Sequence, residues 1–353
     1  MSIHSTRSDD DGTIGLPTGR RATIEDVALR AHVSVATVSR ALRGLPNVAT
    51  ATRRRVELAA TALKYRPDPA ASRLAARKTK TITVGVPSLS GWYFSTVVAG
   101  AEAVCNEAGY EFQVIAVGSL VDRDRLLDDE HALERRTDGL ILVDVEPSAA
   151  QAEALVARGV AVATVGHVLV DHPAVSIDDA LVGRLAAEHL VSLGHRRIAI
   201  IDGLDDDPMN FVVPTTRRTG FEQALADAGL SLSPSLAASG NFTVDGGRDA
   251  MRRLMETTDP PTAVFAMSDE MAFGVLMELD ERGLVAGSDV SVVGVDDHEF
   301  ACVVKLTTVR QPVADHGANA ARLLIEAMGS DEPLRTTIRP DVELVVRSTT
   351  GPA

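Results

Sequence analysis

Cysteine is scarce in this 353-residue chain: Cys105 and Cys302 are its only two, each set among apolar residues. They offer neither a disulfide framework nor a metal-ligand spacing, and thiols used so sparingly suit a reducing cytoplasm. No apolar run reaches the ~18 residues of a membrane helix, so no membrane partner is expected. The opening MSIHSTRSDDDGTIGLPTGR lacks the apolar centre of a secretory signal. Residues 1–22 read as a loose arm. Neither Gly-x-Gly-x-x-Gly nor a phosphate-cradling Gly-Lys loop follows any apparent strand, so the sequence carries no nucleotide signature; no cofactor is expected, and an enzyme reading has nothing to start from. Asp296-Asp297-His298-Glu299 looks metal-like in print, but four adjacent residues cannot all face one ion from a strand end without a bent loop.

Positive charge is short as well, the net charge being −14, and its placement decides what that means. Between Arg20 and Lys80 fourteen Lys and Arg oppose four Asp and Glu, a surplus of ten, so the rest of the chain is strongly acidic. A basic head on an acidic body is the footprint of a nucleic-acid-binding module joined to something that does not bind nucleic acid.

What the head contains fits that footprint. In residues 23–44, TIEDVALRAHVSVATVSRALRG, Thr23 and Asp26 have the spacing of a capping box, and Ile24, Val27, Ala28 and Ala31 fall on one helical face. Ser34 is a good N-cap for a second helix, in which Val38 and Leu42 pack inward while Val35, Ala36, Thr37, Ser39 and Arg40 face outward or sideways. A helix with a small, singly cationic outer face fits a major groove, where Arg can bond guanine bidentately and methyl groups can meet thymine. A third helix is predicted over residues 52–65, with Val56, Ala59, Ala60 and Leu63 on one face. The Pro67 and Pro69 region interrupts regular structure, and the short AASRLAAR segment is marginal as an isolated helix. It reads as a hinge that folds when DNA or a partner subunit holds it.

From Ile82 apolar strands alternate with amphipathic helices, the texture of a doubly wound parallel sheet, and the pattern restarts near Asp178. Two such units imply two lobes with a ligand cleft at the carboxyl ends of their strands.

With these motifs in place the sequence resembles the LacI/GalR family of bacterial transcription regulators. The resemblance rests on TIEDVA, VSVATVSRALRG, TRRRVELAATALKYRPDPAASRLA, EHLVSLGHRRIAII, RRTGF, AMSDEMAFGV, DVSVVGVDDHEF, LTTVRQP and ELVVRST, in that order over residues 23–349. It implies an all-α helix-turn-helix head (residues 23–66), a hinge helix and linker (67–81), and an α/β effector domain like periplasmic binding proteins. The implied N-lobe is 82–177 with 311–337, and the C-lobe 178–310 with 338–350. It also implies a homodimer on a palindromic double-stranded operator, more a repressor than an activator, with a small effector between the lobes, usually a sugar or a nucleobase in this family and here expected to be sugar-like.

Residue by residue, the resemblance assigns DNA contact to Thr23, Val35, Ala36, Thr37, Ser39, Arg40, Asn47, Arg53 and Leu74, the last as a minor-groove wedge. It assigns the effector to Trp92, Tyr93, His167, Arg217, Phe242, Ser268 and Asp296. Arg217 offers a planar fork of donors suited to vicinal hydroxyls or a carboxylate. His32 stands at a turn position where the family commonly has Gly, which requires His to accept a positive φ. A reading from another class stays open beside it: a cytoplasmic small-molecule binding protein whose helical head docks a protein partner.

Overall fold

A computed structural model describes residues 22–65, 78–129, 132–133, 136–203, 209, 211–330 and 332–353. The chain divides into two units with the boundary between Arg77 and Lys78, and each has its own core. Leu74, the bulk of the hinge and nearly all of the N-terminal arm lie outside the described residues.

The head is three helices, α1 (Ile24–Ala31), α2 (Val35–Leu42) and α3 (Thr50–Ala62). The Thr23 hydroxyl accepts from the Asp26 amide while the Asp26 carboxylate accepts from the Thr23 amide at 2.8 Å, so two of the orphan donors at the start of α1 are satisfied. His32 ends α1 in the left-handed region, φ 51° and ψ 48°. Val27, Ala28 and Ala31 then bury against Val38 and Ala41 of α2 and Val56, Ala59 and Ala60 of α3. Its buried side chains are all Val or Ala, which lets three short helices approach closely, with Ile24, Leu42, Leu63 and Tyr65 packed around them. The third helix begins two residues earlier than its sequence pattern suggests and stops at Ala62, because Lys64 turns left-handed at φ 52° and the Tyr65 amide folds back onto the Ala60 carbonyl.

The body holds two six-stranded sheets. The first, all parallel in its pairings, runs in the order β11-β5-β4-β3-β1-β2, from β1 (Thr81–Val86), β2 (Glu111–Ala116), β3 (Gly139–Val143), β4 (Ala161–Val165), β5 (Ala174–Val175) and β11 (Thr337–Ile338). The second runs β12-β10-β9-β8-β6-β7, from β6 (Ile198–Asp202), β7 (Ala237–Ser239), β8 (Ala263–Ala266), β9 (Ser291–Asp296), β10 (Thr307–Arg310) and β12 (Glu343–Val345); β12 alone is antiparallel to its neighbour. Strands such as GLILV are buried along their whole length, as a sheet covered on both faces requires. The last passage between lobes falls between Ile338 and Glu343, not at 337–338, because Ile338 pairs with Val175 in the first sheet.

Helices cover the sheets: α4 (Trp92–Glu107), α5 (Leu120–Asp128), α6 (Ala149–Ala157), α7 (Asp179–Ser192), α8 (Val212–Asp227), α9 (Val244–Met255), α10 (Asp269–Glu281) and α11 (Val313–Gly329). The Ser119 hydroxyl caps α5 by accepting from the Asp122 amide. Glycines set the contact between α7 and α8. A Cβ on Gly183 of α7 would stand 1.9 Å from the Arg217 carbonyl, and one on Gly220 of α8 1.9 Å from the Ala180 carbonyl. Only glycines let α7 and α8 touch backbone to backbone there, and that contact delivers Arg217 to the start of α7. Among the described residues no helix is long and apolar enough to cross a membrane.

Candidate functional site

On the head, α2 presents Val35, 40% exposed, with Ala36 and Arg40 also exposed, while Val38 and Ala41 face the core. Among the described residues the Arg40 guanidinium has no partner within the protein. Thr37 and Ser39 are half-buried at the edges of this face, and the Thr37 hydroxyl lies 2.8 Å from that of Ser34. Asn47 is exposed in a left-handed turn, φ 68°. Thr23 and Arg53 are already employed inside the head. The Thr23 hydroxyl belongs to the capping box, and the Arg53 guanidinium donates to the carbonyls of Ala41 at 3.0 Å and Leu45 at 2.9 Å, closing the end of α2. Arg53 thus serves the fold first, because a guanidinium at a helix C-terminus gains from the dipole as well as from its two carbonyl bonds.

Between the two lobes of the body lies a cavity of about 370 Å³. Of the residues singled out from the sequence, Tyr93, Arg217, Phe242, Ser268 and Asp296 line it. Arg217, 6% exposed, donates from Nε to Asp179 at 2.8 Å and from Nη1 to the Met267 carbonyl at 2.8 Å. Burial works against its charge, but Asp179 and Asp296 more than offset that and hold the guanidinium above its ordinary pKa. Ser268 caps α10, accepting from the Met271 amide, and so fixes the end of β8. Asp296 ends β9 at φ 118° and accepts from the Gln311 amide group at 2.6 Å. Phe242 follows Asn241, both left-handed at φ 53° and 52°, a double strain that the packing around the cavity must hold in place.

Trp92 and His167 are not brought to the cavity. Trp92 opens α4 where that helix meets the other lobe, so its ring lies on His298 at 4.5 Å between centroids and its Nε1 donates to Glu299 at 3.1 Å. The His167 ring is buried, its Nε2 finds no partner among the described residues, and burial pushes its pKa down to about 4, so it is held neutral. The four residues after Val295 also part company: Asp297 binds Arg310 and Arg347, His298 accepts from the Phe300 amide, and Glu299 meets Trp92.

Several lining residues had not been singled out. Asp144, just past β3, stands at a strand's carboxyl end, where α/β ligand residues collect, and this was a signal in the sequence. Asp179, Glu270, Gln311 and His316 arrive by helix starts and crossovers, which no local pattern announces. Their electrostatics are one-sided. Burial pushes Asp144 up to about 7, with Asp179 adding to the effect and Arg217 opposing it, and burial likewise pushes Asp296 up to about 7 against Arg217 and Gln311. Asp179 and Glu270 are also raised by burial. His316 is pushed down to about 4 by burial, and its Nε2 has no hydrogen-bond partner among the described residues. The cavity is therefore rich in carboxyl groups, and among the described residues its lining holds one guanidinium, whose Nε and Nη1 serve Asp179 and Met267.

Residues 23–68 match the profile of bacterial regulatory proteins of the lacI family, and residues 187–350 that of a periplasmic binding protein-like domain. Catabolite control protein A of Priestia megaterium is 33% identical, over 88% of this chain and 93% of its own. The chain belongs to the LacI family of bacterial regulators. Among solved structures, the lac repressor dimer bound to operator and the anti-inducer ONPF is 28% identical with a TM-score of 0.78, covering 94% of this chain and all of its own. The transcriptional regulator CelR in its cellobiose complex is 30% identical with a TM-score of 0.66, covering 93% and 100%. The relatives of this LacI-family chain are transcription regulators, not enzymes, and its two-sheet body has the architecture that the second profile describes.

Proposed function

We propose that this chain is an operator-binding repressor, working as a homodimer on a two-fold symmetric site, whose grip on DNA is set by an uncharged, hydroxyl-rich ligand of the sugar class held in the cleft cavity. The observation that carries the ligand class is the charge imbalance of the cavity: Asp144, Asp179, Asp296 and Glu270 surround Arg217, whose Nε and Nη1 already serve Asp179 and Met267. Sugar hydroxyls can donate to such carboxyls, while a phosphate or carboxylate on the ligand would meet four carboxyl groups against one guanidinium. Tyr93, Phe94, Phe211 and Phe242 give the apolar ring faces a surface. The complexes of the lac repressor with operator and of CelR with cellobiose support both halves of the reading. For the head, the support is the outward face of α2, with Val35, Ala36 and Arg40 free for base edges, and Thr37, Ser39 and Asn47 beside it.

The full-length chain selects from random duplexes a two-fold symmetric site, and its affinity falls with salt at a log–log slope of about −0.9 per phosphate neutralised. A flat salt response removes the DNA half. A thermal-shift screen pairs neutral sugars with their phosphates and sugar acids; neutral members raise the melting temperature and alter operator affinity. A phosphorylated ligand that stabilises more than its neutral parent overturns the ligand class.

A further inference from the structure

We infer that Trp92, with Glu270 and Glu299, forms a clasp that holds the two lobes closed over the cavity. This rests on the reading that the cavity holds the regulatory ligand, and it makes Trp92 a positioning residue, not a ligand contact.

The clasp follows from how α4 begins. Its N-cap is Gly91, which has no side chain to cap the free amides of the first turn. The cap comes from the other lobe: Glu270, in the first turn of α10, accepts from the Trp92 amide at 3.3 Å. A carboxylate at a helix N-terminus gains from the helix dipole as well as from the hydrogen bond. The indole of the same residue then reaches further across, donating from Nε1 to Glu299 at 3.1 Å and lying on the His298 ring at 4.5 Å, tilted by 35°.

The receiving surface is rigid. His298 is packed against Phe300 at 5.2 Å and edge-on to Phe273 at 5.3 Å, its amide donates to Asp269 at 2.8 Å, and its Nδ1 accepts from the Phe300 amide at 3.0 Å. The ring's place is thus fixed by the strand-end loop that also carries Asp296. Parting the lobes at this edge breaks two hydrogen bonds and an aromatic contact together, so the clasp opens as a unit. Glu270 belongs both to the clasp and to the cavity wall, so whatever occupies the cavity is felt at the clasp through one carboxyl group.

Trp92 is the chain's one tryptophan, so its emission reports the clasp alone. In full-length protein without DNA or added sugar, Glu299→Ala lowers the closed-to-open ratio about fivefold, the weight of one net hydrogen bond. Acrylamide then quenches Trp92 more strongly and small-angle scattering gives a larger radius of gyration. Glu299→Gln keeps an acceptor oxygen and stays near wild type, a rescue that loss of packing would not give. Glu299 is exposed, so neither variant threatens folding. Wild-type quenching and wild-type scattering in Glu299→Ala overturn the clasp. No ligand enters this experiment, so a negative result removes the clasp and leaves the ligand reading standing, while a barren sugar screen removes the ligand reading and leaves the clasp.

Discussion

Arg40 in the head and Arg217 in the body carry the same guanidinium into opposite surroundings. Arg40 is exposed on α2 and has no partner among the described residues; Arg217 is 6% exposed and bound to Asp179 and to the Met267 carbonyl. An exposed cation contributes little to its own fold, and its value is lent to whatever anion approaches, less so as salt rises. A buried cation is already part of a balanced group, and removing it leaves its partner uncompensated. On the outward face of α2 the head thus keeps a charge that is free, whereas the cavity of the body holds one that is committed.

Removing Arg217 breaks that comparison at its most expensive point. Arg217→Ala leaves Asp179 buried without its guanidinium and is expected to cost about 3–5 kcal/mol of stability. The stranded carboxyl then protonates more readily, so the loss read by calorimetry is larger at pH 8 than at pH 5.5. Equal losses at both values would mean that Asp179 is not the residue left exposed to the change.

The next test uses a carboxyl in place of the guanidinium. Asp144 is raised by burial from 3.8 to about 7 in the folded chain. Below pH ~4 it is protonated folded or unfolded and contributes no penalty. As pH rises through 4 towards 7 the unfolded chain ionises first, so folded stability falls, and above 7 the full penalty is in place. Asp144→Asn removes it: the variant should be more stable than wild type by about 2–4 kcal/mol at pH 8 and equal to it near pH 4. If Asp144 is a ligand acceptor, the same variant also weakens the stabilising effect of a neutral sugar, a trade of function for stability common at binding sites. Arg40→Ala, by contrast, should leave the melting curve unchanged and cost about 1–3 kcal/mol of operator binding per half-site, confined to one base position if Arg40 reads a guanine. Uniform weakening on every sequence would make it a phosphate contact.

The sequence disclosed most where a local rule sufficed. Thr23 and Asp26, Ser34, and the i, i+3, i+4 spacing through Ala31 specify α1 and α2 from neighbours a few residues away, and both helices stand where that spacing puts them. The two-lobed body was legible because strands buried on both faces must be apolar along their length. The cavity was half legible. Arg217 and Asp296 carry motif signals, but Asp179 is recruited by the close approach of α7 and α8 at Gly183 and Gly220, and His316 by the return of the chain into the first lobe. Those are consequences of packing between segments far apart in the chain. Trp92 illustrates the limit: its position in the sequence suggested a ligand wall, whereas the missing cap at Gly91 turns the start of α4 toward Glu270.

The smallest expected effect lies back in the head, at His32. Its φ of 51° and ψ of 48° place a side chain where a Cβ crowds the following carbonyl, a strain of about 1–2 kcal/mol for most residues. Glycine there removes the strain but adds chain entropy to the unfolded state, worth about 0.5–1 kcal/mol in the other direction. His32→Gly should therefore stabilise the head by about 0.5–1 kcal/mol, read as slower hydrogen exchange at the α1 and α2 amides of the full-length chain, with no change in the amides of the body. The His32 ring is exposed, so little packing is lost to confuse the result. Faster exchange in the variant would mean that the imidazole holds the turn by a contact that outweighs the backbone strain, as the Arg53 guanidinium holds the end of α2.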